Sequence, residues 1–138
     1  MSQSVFKCWP HAQNKPPSPS IPIVVSANEK EDGLSRMFQV DTGFSGAVAI
    51  DQELIDLLSP QRVGSIHIAT ATSLDVRTDL YLVYLTISEL KINRQPFAAL
   101  GATRCLIGRR LLDRREWLLD NVRNRFCMLV PSRFTGSS

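Results

Sequence analysis

One stretch of the chain places a carboxylate between two segments that are both apolar enough to be buried: Met37-Phe38-Gln39-Val40-Asp41-Thr42-Gly43-Phe44-Ser45-Gly46-Ala47-Val48-Ala49-Ile50. A carboxylate in such a position is costly to bury unless it is hydrogen-bonded, protonated or taking part in chemistry. Asp41 is therefore the first candidate for a catalytic group. The ordinary alternative is a β-turn in which the Asp41 side chain bonds to the backbone.

The composition is that of one globular domain. The chain has 138 residues, of which 43% are hydrophobic, and this is enough for a single core. No apolar run is long enough to cross a bilayer, and residues 1–15 contain no signal-peptide core. The spacing of Cys8, Cys105 and Cys127 matches neither a disulfide framework nor a zinc site. We therefore expect free thiols in a cytoplasmic protein with no membrane partner.

Basic residues are concentrated towards the end of the chain. The net charge is only +3, but half of the 16 basic residues are arginines of the last third: Arg104, Arg109, Arg110, Arg114, Arg115, Arg123, Arg125 and Arg133. Such a cluster could attract nucleic acid. We favour the alternative of a solvated face that Asp113, Glu116 and Asp120 partly neutralise.

The two ends of the chain predict tails around one domain. Residues 1–20 are rich in proline and polar residues, and such a segment buries too little apolar surface to offset its ordering entropy. They predict a Pro-rich flexible tail. The domain itself is expected over residues 21–131, with a polar C-terminal tail over residues 132–138.

Within the domain, short apolar segments alternate with turn residues, which favours an all-β barrel or sandwich. Asp51 is predicted to cap a helix over residues 52–58, and a second short helix is predicted over residues 109–115. Strands are predicted over residues 21–25, 34–40, 47–50, 63–70, 74–87, 90–93, 97–101, 105–108, 117–120 and 126–130. The strands 63–70 and 74–87 flank a small polar tip and predict a projecting hairpin.

Two motifs resemble the signatures of one protease family. Val40-Asp41-Thr42-Gly43 resembles the catalytic turn of aspartic proteases. Leu106-Ile107-Gly108-Arg109, followed by Leu111-Leu112, resembles the second signature of the retroviral-type enzymes. That family places a short helix and a flap hairpin between the two signatures, in the order predicted here. The run Asp-Thr-Gly-Phe-Ser-Gly resembles small bacterial members of the retropepsin-like group, and the resemblance covers roughly residues 21–130.

The resemblance implies a single-lobe, acid-protease-like closed barrel with a flap hairpin and one or two short helices. The mechanism needs two carboxyls, and the chain contains one Asp-Thr-Gly. The resemblance therefore implies a homodimer with its site on the two-fold axis. Two Asp41 carboxyls held close together would share one proton. One would activate a water and the other would protonate the scissile carbonyl of a peptide or protein substrate. No metal or organic cofactor is implied.

The resemblance also assigns roles to the neighbours of Asp41. Thr42 would hydrogen-bond across the dimer, and Gly43 would donate its backbone N–H to the carboxylate or to the substrate. Phe44 would fill a substrate subsite or a dimer contact. The flap tip, Ala71, Thr72 and Ser73, would close over the substrate. The second signature, Leu106, Ile107, Gly108 and Arg109, would support the floor of the site.

Some positions depart from the viral pattern. Ser45 stands where viral members usually carry an aspartate that pairs with the arginine of the second signature, so Arg109 needs another partner. The flap tip lacks the glycine that many members have. With His11 and His67 as the only histidines, a Ser-His-Asp, Cys-His or zinc site is not expected.

Two other functions remain open. One is a catalytically silent protease-fold module for dimerisation or peptide binding. The other, which we rank lower, is an Arg-rich protein associated with nucleic acid.

Overall fold

A computed structural model describes residues 3–11, 18–69 and 75–131 of the chain. The strands in these residues are β1 Gln3–Pro10, β2 Ser20–Ser26, β3 Leu34–Val40, β4 Val48–Ile50, β5 Gln61–Ala69, β6 Asp75–Ile87, β7 Ile92–Gly101, β8 Leu106–Ile107, β9 Glu116–Asp120 and β10 Arg125–Pro131. The helices are α1 Gln52–Leu58 and α2 Arg109–Leu112, with one 3-10 turn at Ser88–Leu90. No helix in the described residues is long and apolar enough to span a membrane.

Six of the strands close into a ring. The hydrogen-bonded order is β2-β3-β8-β4-β7-β6, and β6 pairs again with β2 from Val24↔Thr86 to Ser26↔Tyr84. β5 extends from β6 as the second strand of a hairpin. Closure pairs both edges of each ring strand over part of its length, which removes the open edge of a flat sheet. The prediction of an all-β closed barrel with a hairpin and two short helices is confirmed.

The core lies inside this ring. β2 alternates inward and outward residues, so Ile21, Ile23 and Val25 are fully buried, as the two-residue period of a strand requires. Phe38 of β3 and Leu85 of β6 meet them with no exposed surface. Fully burying an aliphatic or phenyl side chain of this kind contributes roughly 1.5–3 kcal/mol, so the inward residues of the ring supply much of its stability.

Helix α1 begins and ends as predicted. The Asp51 carboxylate accepts a hydrogen bond from the Leu54 N–H at 2.9 Å, which satisfies one of the N–H groups that a helix start leaves free. Leu54 is fully buried. Ser59 ends the helix in the left-handed conformation, with φ of 48°, just before Pro60.

Two predicted elements have different bounds in the structure. The second helix was predicted over residues 109–115 but ends at Leu112, where the Trp117 indole N–H donates to the Leu112 carbonyl at 2.6 Å. The predicted strands 90–93 and 97–101 are a 3-10 turn followed by the single strand β7. Pro96 lies inside β7 opposite Tyr84 of β6. Because β4 pairs only with Ala99–Gly101, the other edge of β7 is unpaired at Pro96, and such an edge tolerates proline.

The prediction of a flexible tail over residues 1–20 is wrong for Gln3–Pro10. These residues form β1, which pairs antiparallel with β10 from Gln3↔Pro131 to Pro10↔Arg125. β10 pairs in turn with β9, giving a second sheet of three strands. Trp9 is 6% exposed and lies 6.3 Å from the Trp117 ring, which stacks on Phe126. The partner of β1 is at the far end of the sequence, so local composition could not indicate it. Residues 12–17 and the predicted C-terminal tail 132–138 lie outside the described residues.

The expectation of three free thiols is also wrong. Cys8 and Cys127 form a disulfide between directly opposed residues of β1 and β10, and only Cys105 is free. Disulfides persist mainly in oxidising compartments, so the argument from free thiols to a cytoplasmic location no longer holds. The bond joins residues 119 positions apart. It links β1, near the start of the chain, to β10, near its end.

Cleaving this disulfide should destabilise the protein measurably. Closing a loop of this length restricts the unfolded chain, and removing such a bond typically costs about 2–4 kcal/mol. We expect Cys8→Ser to lower the free energy of unfolding by that amount in denaturant titrations. Cys105→Ser keeps the bond and is the control, and its stability should still fall when a dithiol reductant is added. Equal stability of wild type and Cys8→Ser would contradict this role.

Asp120 should make stability depend on pH in acid. The Arg123 backbone N–H, aided by the Arg123 and Arg125 side chains, lowers the pKa of this carboxyl to about 2. Since the folded-state pKa is depressed, the stabilisation is complete above about pH 4 and is lost as the pH falls towards 2. We expect Asp120→Asn to flatten the dependence of the melting temperature on pH between these values. An unchanged slope in the variant would contradict the assignment.

Candidate active site

The site is built where β8 passes between the two strands that flank the Asp41 turn. β8 pairs parallel with the end of β3, Gln39↔Leu106 and Val40↔Ile107. On its other side it pairs antiparallel with the start of β4, Val48↔Ile107 and Ala49↔Leu106. The two signature segments of the sequence are thus neighbours in the sheet. The turn from Asp41 to Gly46 joins β3 to β4, and β8 lies between these two strands.

Backbone hydrogen bonds fix this turn to the second segment over its whole length. The Asp41 N–H donates to the Ile107 carbonyl at 3.0 Å, and the Gly108 N–H donates to the Ala47 carbonyl at 2.9 Å. The Arg109 N–H donates to the Phe44 carbonyl at 2.8 Å. The Arg110 N–H donates to the Gly46 carbonyl at 3.2 Å. Because main-chain groups make these bonds, the position of the turn does not depend on the side chains of the two arginines.

The Phe44 ring lies over two glycines. A Cβ at Gly46 would meet the Phe44 ring atoms Cζ and Cε1 at 2.7 and 2.8 Å. A Cβ at Gly108 would meet the Phe44 Cδ2 and carbonyl oxygen at 2.6 Å each, and would also overlap the Gly46 carbonyl. The ring therefore fills a slot that exists only because both positions lack a side chain. Phe44, which was predicted to contact substrate or a second copy, thus has its ring packed against Gly46 and Gly108.

Asp41 is partly buried at the start of the turn. Its Oδ1 accepts the Gly43 N–H at 3.0 Å, and its carbonyl accepts the Phe44 N–H at 3.1 Å. An ordinary Asp turn makes the same side-chain bond. What sets this aspartate apart is the crossing strand behind it, because the Asp41 main chain is held on both sides while its other carboxylate oxygen has no hydrogen-bond partner among the described residues.

Thr42 is exposed and opens onto a groove of about 420 Å³. The groove lies between the Asp41 turn, α2 and the three-stranded sheet. Its lining is Pro19, Val40, Thr42, Arg109, Leu112, Asp113, Arg115, Trp117, Leu119 and Phe126. Most of these side chains are apolar, and charged groups are contributed by α2 and the residues after it.

Arg109 has a backbone role and an exposed side chain. The described residues place no carboxylate within ion-pair distance of its guanidinium, although Arg123 and Arg125 both pair with Asp120. Because Ser45 replaces the aspartate of the viral pattern, Arg109 was expected to have another acidic partner. The described part of the chain contains none. One carboxylate, Asp120, thus partly neutralises two of the arginines in the basic third.

The predicted hairpin is formed by β5 and β6, paired from Gln61↔Leu82 to Ala69↔Asp75. The predicted flap tip, Ala71, Thr72 and Ser73, lies outside the described residues. One face of the hairpin carries exposed apolar residues, since Ile66 is 41% and Val76 is 47% exposed. The other face is polar, with an ion pair between Arg62 and Asp79 at 2.9 Å.

The remaining thiol is not a candidate nucleophile. Cys105 is buried beside β3, where its carbonyl accepts the Gln39 N–H. Burial raises the pKa of the Cys105 thiol, and a protonated thiol is a poor nucleophile. Among the described residues, no three histidine, cysteine or carboxylate side chains are grouped so that they could hold a metal ion.

Sequence reasoning placed Asp41, Thr42, Gly43, Leu106, Ile107, Gly108 and Arg109 at one site, and the structure brings them together. It missed the role of Gly46, which makes room for the Phe44 ring. The glycine two positions after Phe44 in the sequence was the available signal. It also missed Leu119 and Trp117, because the groove wall is assembled from the second sheet.

Comparisons with known proteins agree with this architecture. No family model and no curated protein matches the chain. Among solved structures, the chain is similar to a retropepsin-like aspartic protease from Rickettsia conorii, with a TM-score of 0.58 over 94% of each chain and 18% sequence identity. The chain therefore has the fold of a single-lobe, retropepsin-like aspartic protease.

Adding a side chain at the crossing should destabilise the protein. In Gly108→Ala the new Cβ would meet backbone oxygens and the Phe44 ring, and overpacking of this kind costs about 1–3 kcal/mol. We expect that loss of unfolding free energy in denaturant titrations. Gly64→Ala is the matched control, because nothing lies within 4 Å of a Cβ there, and it should change stability by less than about 0.5 kcal/mol. Equal effects at the two glycines would contradict the close approach.

Proposed function

We propose that this chain is an aspartic endopeptidase that acts as a homodimer, with two Asp41 carboxyls forming the catalytic pair. The observation that carries the proposal is the passage of β8, which Gly108 follows directly, between the two strands that flank the Asp41 turn. A simple Asp turn needs no such support. The likeness to a solved retropepsin-like aspartic protease supports the same reading.

The stoichiometry follows from the chemistry. Hydrolysis of a peptide bond by this route needs one carboxylate to take a proton from water and one carboxylic acid to protonate the carbonyl oxygen. The chain contains a single Asp-Thr-Gly, so one copy supplies half of the pair. Two carboxyls a few ångströms apart cannot both be ionised and share one proton, which gives the two identical residues the two different roles.

The neighbours of Asp41 orient it for this task. The Gly43 N–H holds the carboxylate oxygen Oδ1, which leaves the other oxygen available to a water and to the partner carboxyl. Thr42 is exposed beside the groove, where a second copy would meet it. The proton then passes from the water to the ionised carboxyl while the acid partner protonates the substrate carbonyl, giving a tetrahedral species.

The substrate is an extended peptide held under the β5–β6 hairpin. The apolar face that carries Ile66 and Val76 suits apolar substrate side chains, and covering the peptide would exclude water from the reacting bond. The sequence assigns Ala71, Thr72 and Ser73, which lie outside the described residues, to the closing of the flap over the scissile bond.

Replacing the catalytic carboxyl should abolish cleavage without unfolding the protein. We expect Asp41→Asn to reduce kcat/KM on a peptide library by at least about 100-fold, since it removes an acid–base step. Asp56→Asn, the same change on the exposed face of α1, is the control and should keep full activity. A statine-type peptide should inhibit the wild type and protect it against thermal unfolding.

The pH range of the assay decides the outcome. A shared-proton pair is active in acid, so cleavage is measured from about pH 3 to 7. A purified dimer that cleaves no peptide across this range would show a silent binding module instead of an enzyme. Binding to DNA that weakens steeply with salt would favour the nucleic-acid reading.

A further inference from the structure

Side chains of β3 alternate between two faces, and Asp41 does not share the face that lines the groove. Val40 is one of the groove residues. The pairing of β3 with β8 continues through the Asp41 N–H, which donates to the Ile107 carbonyl at 3.0 Å. Because successive residues of a paired strand point to opposite faces, Gln39 and Asp41 lie together on the face that points away from the groove.

Arg104 reaches the same face from the segment that precedes β8. Its Nη1 donates to Gln39 Oε1 at 3.2 Å. The main chains are also joined here, since the Gln39 N–H donates to the Cys105 carbonyl at 3.0 Å, and Gln39 lies opposite Leu106 in the parallel pair. A guanidinium is therefore held beside the side chain that neighbours Asp41 on this face.

The charge of Arg104 is not neutralised by the described residues. Arg62, Arg94 and Arg125 each pair with an aspartate, whereas no carboxylate of the described residues lies within ion-pair distance of Arg104. Arg104 is exposed, and the bond to Gln39 uses one of the five N–H donors of its guanidinium. The amide N–H groups of Gln39 have no acceptor among the described residues. This pair thus presents free donors and one positive charge next to the candidate catalytic carboxyl.

We infer that Arg104, oriented by Gln39, binds the carboxylate of an aspartate or glutamate that adjoins the scissile bond of the substrate. The inference rests on the proposed function and names its substrate class, peptides that are acidic at the cleavage point. Residues two apart on one face of a strand lie about 7 Å from each other, so a side chain adjoining the bond at Asp41 would reach Gln39 and Arg104. In the proposed dimer each copy supplies one such pair, so an acidic residue fits on either side of the bond.

The chemistry of the pair favours a carboxylate over other side chains. The planar guanidinium fork matches the two oxygens of a carboxylate, and the charge strengthens both hydrogen bonds. A lysine or arginine of the substrate would meet a like charge and would be rejected. An apolar side chain would cover the guanidinium without replacing its hydrogen bonds to water, which costs free energy.

Matched peptides test the preference. Two peptides that differ only in glutamate or glutamine next to the scissile bond are offered to the wild type at about pH 6, where the glutamate is ionised. We expect kcat/KM to be about tenfold or more higher for the glutamate peptide, because a hydrogen bond between charged groups contributes more than a neutral one. Arg104→Gln should lower kcat/KM on the glutamate peptide by that factor and leave the glutamine peptide unchanged. Arg123→Gln is the control, since it removes the same charge from the exposed β9–β10 turn, and it should keep the wild-type preference.

Charge reversal separates recognition from a merely structural role. Arg104→Glu should reverse the preference, so that a peptide with lysine at this position is cleaved faster than one with glutamate. Gln39→Glu keeps an acceptor for Arg104 but pairs its charge within the chain, so the preference for the glutamate peptide should fall towards that of Arg104→Gln. A substitution that only destabilised the protein would slow the cleavage of all these peptides equally.

Binding measurements separate this inference from the proposed function. The Kd is measured for the glutamate and glutamine members of a peptide library, with Asp41→Asn used where the wild type cleaves the probe. If the wild type cleaves nothing but binds the glutamate members more tightly, and Arg104→Gln abolishes the difference, the subsite stands and the protease proposal fails. If the wild type cleaves both peptides equally well, the enzyme stands and the subsite is wrong. Equal binding of the two members, or binding of neither, also overturns the subsite.

Discussion

The candidate site depends on the close approach of two segments of the main chain at Gly108. β8 is two residues long, too short to be held by its own pairing alone. It stays between β3 and β4 because the next residue has no Cβ and can lie against the carbonyls of Phe44 and Gly46. Four backbone hydrogen bonds then tie the Asp41 turn to the segment from Ile107 to Arg110.

These backbone hydrogen bonds also explain how the turn is held although position 45 is a serine and not an aspartate. In the viral pattern a carboxylate there pairs with the arginine of the second signature. Here the Arg109 N–H and the Arg110 N–H bond to carbonyls of the turn, and the Phe44 ring fills the space over the two glycines. Main-chain bonds and packing therefore hold the turn here without such a side-chain pair, and the Arg109 guanidinium is exposed at the groove.

The sequence predicted the parts of the structure whose signals are local. Asp51 and the apolar face of residues 52–58 specify α1, and alternation on either side of a polar tip specifies the β5–β6 hairpin. The two signatures predicted which residues meet at the site. The strand β1 and the bond from Cys8 to Cys127 were missed because they join positions 119 residues apart. Without its partner strand, a Pro-rich segment has the composition of a tail. The sequence assigned Phe44 to a substrate subsite or a dimer contact, and nothing local shows that Gly46 and Gly108 make a slot for its ring.

Long-range pairing also gives the second sheet its place in the molecule. β1 and β10 bring the two ends of the described chain together, and the disulfide fastens them. With one edge of β10 occupied by β1, its other edge holds β9, and β9 in turn forms the wall of the groove at Thr42. Asp41 is held by its own chain through the Ile107 carbonyl and the Gly43 N–H, and under the proposed mechanism a second copy supplies the other carboxyl.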